Sequence, residues 1–288
     1  MSKLILLTRS TLGLVLWSRR LLFDKRTRST NASHWLALPG VLALIGLQFG
    51  YIDSAVAASN EITCSAPQHG KTIALGQAKL FFEHNSTDAD TGVHGAFDTS
   101  SFAELCVYDP TGEQILAVKP QGQLLDLAMG GIFFESREPP NKKVSLESLK
   151  ASFPEGLYTV RGVSHDGKQL TGTATFTHVI PAAPSIIFPE ENAVVSSSDL
   201  TVMWEPVTQS LDGAPINTTG YEVIITKEVP DDPNGFSRPT FDVHVPPSVT
   251  ALTVPSEFLE SGTAYELEVL ALEVSGNQTI TVRFFETQ

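Results

Sequence analysis

Cysteine is almost missing: Cys64 and Cys106 are the only two among 288 residues. That excludes a disulfide-dense scaffold and a four-thiolate metal site. The phosphate-cradling signatures are missing too, since neither GxGxxG nor GxxxxGK[ST] occurs and with them goes the usual backbone nest for nucleotides. HExxH and Arg-Gly-Asp are absent, so neither the paired-histidine zinc frame nor adhesion through that tripeptide has a basis in the sequence. Basic residues are scarce and unevenly placed. Seven of the 19 Lys and Arg, but only two of the 32 Asp and Glu, lie in residues 1–57, so the remainder holds 12 against 30 and a formal charge of −18. Nucleic acid and anionic membrane surfaces are poor partners for such a chain, because both demand clustered cations.

What residues 1–57 do contain is an address. Residues 35–52, WLALPGVLALIGLQFGYI, are uncharged and apolar apart from Gln48; Lys25, Arg26 and Arg28 precede them, and Ala55-Val56-Ala57 stands before Ala58. Basic flank, apolar run and small-residue site in that order read as an export signal, cleaved before Ala58. The other reading is a membrane anchor, since 18 residues lie near the lower limit for a spanning helix. Residues 1–34 carry a second apolar patch at 4–17, which reads as an overcalled translation start or an extended signal. In an oxidising compartment the even pair Cys64 and Cys106 predicts one disulfide, closing a loop of about forty residues and contributing on the order of 3–4 kcal/mol.

The rest has room for two modules, split near Pro181-Ala182-Ala183-Pro184. In 181–288 apolar residues alternate in short runs: Leu200, Val202, Trp204; Tyr221, Val223, Ile225; Phe241, Val243, Val245; Tyr265, Leu267, Val269, Ala271; Ile280, Val282, Phe284. Turn residues and no amphipathic helix separate them, which predicts an antiparallel sandwich. Residues 58–180 read as strands too (AKLFFEHN, AELCVYD, EQILAVK, GIFFES, LYTVRGV, LTGTATFTH), with hairpins at VYDPTGEQI and VSHDGKQL and one short helix between Ser145 and Pro154. The expected fold class is therefore all-β: an N-terminal export segment and two β-sandwich modules, 58–180 being a second sandwich or an Ig-like domain.

Trp204 in an early strand, Tyr221 opening the next, Leu259 six residues before Tyr265, and the last hairpin through Ser275-Gly276-Asn277 resemble a fibronectin type III domain over about 182–288. The resemblance implies that Trp204 and Tyr265 are core, the ring of the one between the sheets and the hydroxyl of the other bonded to nearby backbone. The whole exported part also resembles uncharacterised secreted bacterial proteins in which a module with a YNATDGD-like loop and an FPEGxY segment precedes a fibronectin type III domain; HNSTDADTG and FPEGLY (153–158) are the matching residues. That likeness implies no activity. The long connections at 206–220 and 228–240 are where binding is expected.

NSTDADTG, residues 85–92, is the most chemical-looking stretch. Calcium needs six to eight oxygens; Asp88 and Asp90 supply carboxylates, and Asn85, Asp98 and loop carbonyls are the local candidates to complete a shell. The alternative is a solvated turn, which Asn, Asp, Ser and Gly favour. His84 and His94 flank the loop without a recognised zinc spacing. Ser164-His165-Asp166 has the residue types of a triad, but consecutive residues at a hairpin point apart. No catalytic residue and no cofactor is expected, calcium at Asp88 and Asp90 being the possible exception. The functional expectation is an exported, non-catalytic binding or spacer protein, secreted, periplasmic or at the cell surface, contacting protein or carbohydrate through its loops. The alternatives are a calcium-dependent adhesion module, and an accessory module or cryptic hydrolase; membrane association is expected only through an uncleaved 35–52.

Overall fold

The computed structural model describes Cys64, residues 71–228 and residues 239–288, all within a compact unit spanning Ala58–Gln288. The expected export segment and most of the 228–240 connection lie outside the described residues. Among the described residues no helix is long and apolar enough to cross a membrane.

The first module comprises β1 (Thr72–Ala74), β2 (Gln77–Asn85), β3 (Asp90–Phe102), β4 (Glu104–Tyr108), β5 (Gln114–Val118), α1 (Gln123–Leu127), β6 (Met129–Glu135), α2 (Leu146–Ser152), β7 (Gly156–Val163) and β8 (Gln169–Phe176). One sheet runs β1-β8-β7-β4-β5, and β2-β3-β6 are hydrogen-bonded in another. Alternation sends Leu80, Phe82, Phe97, Val107, Tyr158, Val160 and Phe176 into one core. Ser145 caps α2 by accepting from Ser148 N, as the sequence predicts; α1, five residues with nothing buried, carries no apolar period to announce it. FPEGLY also acquires a structural meaning. The fully buried Tyr158 donates its hydroxyl hydrogen to Pro154 O at 3.0 Å, and burial, then the Asp109 charge, pushes its pKa up to about 12. Gly156 makes the corner possible, because its φ is 142° and an added Cβ would lie 2.9 Å from Pro110 Cγ. Cys64 and the buried Cys106 of β4 form the expected disulfide, with Cα atoms 5.9 Å apart.

The second module comprises β9 (Ile186–Phe188), β10 (Ala193–Val195), β11 (Thr201–Trp204), β12 (Thr218–Lys227), β13 (Thr240–Val245), β14 (Ala251–Thr253), β15 (Ala264–Glu273) and β16 (Gln278–Thr287). Strands β14-β11-β9 face β13-β12-β15-β16, with β10 added parallel to β16. Three strands against four is the fibronectin type III arrangement. Trp204 meets Tyr221 edge-on at 5.4 Å, and Tyr265 stacks on Phe285 at 5.4 Å. Tyr265 OH accepts from Glu260 N at 2.7 Å, and Tyr221 OH accepts from Val207 N at 2.7 Å. Both rings are core, and both hydroxyls are satisfied by backbone. In the last strand the core position belongs to Phe285. Ile280 and Val282 instead form a cluster with Ile224 and Leu270 on the other side of the sheet, and Phe284 is exposed.

The two modules share a sheet. β16 pairs in parallel with β2, Gln278 beside Glu83 and Ile280 beside Asn85, giving eight strands in the order β13-β12-β15-β16-β2-β3-β6 plus β10. Asn277, 1% exposed, locks the seam: its Oδ1 accepts from Phe82 N at 2.8 Å, and its Nδ2 donates to Thr177 O at 2.9 Å and Val179 O at 2.7 Å. Thr279 Oγ1 donates to Pro181 O at 2.6 Å. The 206–220 connection docks as well, Leu211 N donating to Ile180 O and Ala182 N to Gln209 O. Two loops that would be free on an isolated sandwich are therefore used to hold the first module.

Candidate functional site

NSTDADTG is the turn between β2 and β3. Asn85 Oδ1 accepts from Thr87 N and Asp88 N, both at 3.0 Å, which is the side-chain mimicry that favours Asn there. Ser86 Oγ donates to Ile280 O at 2.7 Å, and Thr87 Oγ1 accepts from Val282 N at 2.9 Å, so the turn is also a buttress on β16. Asp88 is exposed on the turn, and Asp90 begins β3 opposite Asn85. Asp98 pairs with Gln77 at the far end of the hairpin. Eight residues at about 3.3 Å each put it roughly 26 Å from Asp90, too far to share an ion.

The strands do gather ligating side chains elsewhere. Along β2, Phe81 and Glu83 point away from the core that holds Leu80 and Phe82, yet all four are buried. Register places Glu83 opposite Gly92, Phe81 opposite His94, His94 opposite Glu135, and Gln278 beside Glu83. The result is a buried group on the outer face. His94 Nδ1 lies 3.6 Å from Glu83 Oε2 and its Nε2 3.4 Å from Glu138 Oε1. Glu83 accepts from Gln278 Nε2, and Gly92 leaves room for Glu138, whose Cγ would be 2.8 Å from an added Cβ. Burial pushes the Glu83 carboxyl up to about 7 against the pull of His94. Burial opposes charge on His94, but Glu138, Glu83 and Glu135 outweigh it and raise its pKa. His84 points the other way, its Nδ1 lying 3.0 Å from Asp90 O and 2.9 Å from Thr91 Oγ1, and burial lowers its pKa. The two histidines therefore occupy opposite faces of one hairpin. Period-two alternation in AKLFFEHN could have shown this much, whereas Glu138 and Gln278 become neighbours only through tertiary pairing.

A second group lies on the same sheet, where Glu222 of β12 faces His244 of β13 and Ile224 faces Asp242. Each of Glu222, Asp242 and His244 offers one ligand atom, and these lie within 4.8 Å of one another; Glu83, His94 and Glu138 form the comparable group. Burial, then the Glu222 charge, pushes the Asp242 carboxyl up to about 6. A hydrogen bond to Glu222 is the largest cause raising the His244 pKa. Among the described residues these two are the groups of three or more such side chains that could hold a metal ion, and neither contains Asp88 or Asp90.

Ser164, His165 and Asp166 do not make a relay. Ser164 Oγ donates to Asp166 Oδ1 at 2.6 Å and accepts from Lys168 N at 2.9 Å, closing the β7–β8 turn.

No protein-family model and no curated protein matches the sequence. Among solved structures the chain is similar to a two fibronectin type III domain segment from chicken tenascin, at 12% identity over 74% of this chain and 99% of that one, TM-score 0.27. It is similar to the third fibronectin III domain of human KIAA0343 protein at 24% identity, covering 38% of this chain and 83% of that one, TM-score 0.28. It is also similar to the Clostridium perfringens spore cortex lytic enzyme SleM at 16% identity, covering 37% of this chain and 28% of that one, TM-score 0.25. Overlaps this slight carry no functional argument. The fold assignment rests on the strand order and cores described above.

Proposed function

We propose that the protein is an exported, non-catalytic binding or spacer protein whose two sandwiches act as one rigid body at the cell surface, in the periplasm or outside. The observation that carries this reading is the shared sheet with Asn277 at its seam, because a flexible pair of binding domains has no need of buried side-chain bonds on both sides of its linker. Protein or carbohydrate partners remain the expected classes. With the 206–220 and 274–277 loops engaged in the junction, contacts fall to the outer face of the long sheet and to the remaining loops. The acidic charge serves solubility and discourages polyanions.

The paired carboxylates on the outer face favour a specific competitor, a cryptic hydrolase, because a carboxyl pushed up to about 6, as Asp242 is, can act as a general acid beside a second carboxyl. The deciding experiment assays 58–288 against glycan, peptidoglycan and peptide substrates while its solution scattering is recorded. A scattering profile matching one rigid particle with no turnover is expected. Turnover abolished by Glu222→Gln or Glu83→Gln replaces the binding reading with the enzymatic one.

A further inference from the structure

The outer face of β12 and β13 brings two carboxyls and an imidazole together. Glu222 is 1% exposed, and neither of its carboxylate oxygens has a hydrogen bond of acceptable geometry; Asp242 Oδ1 is buried and likewise lacks one. His244 Nε2 lies 3.1 Å from Glu222 Oε1, a contact that is an ion pair only when the imidazole is protonated. Two carboxylates side by side cannot satisfy each other unless one carries a proton, so this arrangement is costly as it stands. A bound cation removes the cost.

We propose that Glu222, Asp242 and His244 bind a divalent metal ion of the zinc class. Asp242 and His244 are two residues apart on one strand and so project to one side, while Glu222 joins them from the adjacent strand, opposite His244. Tetrahedral zinc holds carboxylate oxygen and imidazole nitrogen at about 2.0–2.2 Å, which sets ligand atoms about 3.4 Å apart. The three atoms already lie within 4.8 Å of one another, and the His244 side chain, 56% exposed, is free to turn inward. Two oxygens with one nitrogen suit a zinc-class ion better than calcium, which takes six to eight oxygens. β13 is the edge strand of the sheet, so a fourth position can stay open to water or to a partner's side chain. The charged neighbours are Glu268, opposite Ile224 on β15, and Lys79, whose positive charge is felt at His244. Lys79 weakens the site without filling it, since no hydrogen bond from it reaches the carboxylates.

The competing arrangement is a proton shared by Glu222 and Asp242 beside a charged His244, and metal titration separates the two. Full-chain protein stripped with chelator is titrated with Co2+, followed by its visible bands, and with Zn2+ in competition with a chromophoric chelator. The expected result is one equivalent of Co2+ with tetrahedral-type bands that Zn2+ displaces. Affinity for Zn2+ falls by more than about tenfold in Glu222→Gln and in His244→Ala, a loss at least as large as outer-shell changes give. Asp126→Asn, on the exposed helix α1 and outside both clusters, leaves it unchanged. His244 is exposed and Glu222→Gln preserves volume, so both variants retain the fold; should His244→Ala unfold, His244→Gln supplies the same reading. Absence of stoichiometric binding, or binding that the His244 variants leave intact, overturns the proposal.

Discussion

Glu83 is a carboxylic acid held 4% exposed between a histidine, an amide and two further carboxylates, Glu138 and Glu135. Its pKa rises from 4.5 to about 7 on folding. Between those values the unfolded chain has released the proton and the folded chain still holds it, so stability must fall as pH rises through the window. His94 acts in the same direction: its folded pKa lies above 6.5, so its contribution is complete below that value and is lost as pH climbs through the folded one. Urea unfolding of the wild type is therefore expected to show midpoints that decline from pH 5 to pH 8. Glu83→Gln keeps an acceptor for Gln278 and removes the titration, so its unfolding free energy should fall by about 2.5 kcal/mol less over the interval. Equal slopes for variant and wild type would show that Glu83 ionises as freely in the fold as out of it.

The hairpin joining β15 to β16 shows what an element can do that its residues do not announce. VSGNQT reads from sequence as a short turn without an adhesion tripeptide, whereas in the fold Asn277 and Thr279 tie residues 177–181 and β2 to the second module. Asn277→Ala would strip the partner from the buried Phe82 amide, at about 1–3 kcal/mol for the group left unsatisfied, and from the part-buried Thr177 and Val179 carbonyls, which water can reach at less cost. Faster amide exchange in β2 and β16 than in β7 or β12 is the expected signature, and uniform exchange would mean that the seam is held by something else. The strands were legible because alternation is local: Leu200, Val202, Trp204 and Tyr265 are buried as their period requires. β16 escaped that logic, since Ile280 and Val282 satisfy the same alternation on the opposite face once neighbouring strands cover it. The clusters escaped for a related reason. Glu222 and His244 are 22 residues apart in sequence and adjacent only in register, and nothing in a one-dimensional pattern marks Glu222 as buried.

At the scale of the molecule the question is whether two cores, one around Phe82 and Tyr158 and the other around Trp204 and Tyr265, unfold as one. A shared sheet and a buried seam argue for coupling, and the placement of two probes makes the coupling measurable. The Cys64–Cys106 disulfide belongs to the first module and closes 42 residues of sequence, for which loop entropy gives a contribution of about 4 kcal/mol. Of the three tryptophans only Trp204 lies beyond residue 35, and it is 1% exposed in the core of the second module. In 58–288, tryptophan fluorescence thus reports the second module alone, while reduction strikes the first alone. If the modules are one cooperative unit, reducing the disulfide should move the denaturant midpoint seen by Trp204 by as much as the midpoint seen by far-ultraviolet circular dichroism, with both transitions staying coincident. If they are independent, Trp204 should keep its midpoint while the dichroism splits into two steps. Asn277→Ala provides the internal control: losing its bonds at the seam should shift the first pattern toward the second, while the β2–β16 pairing and the Thr279 bond remain.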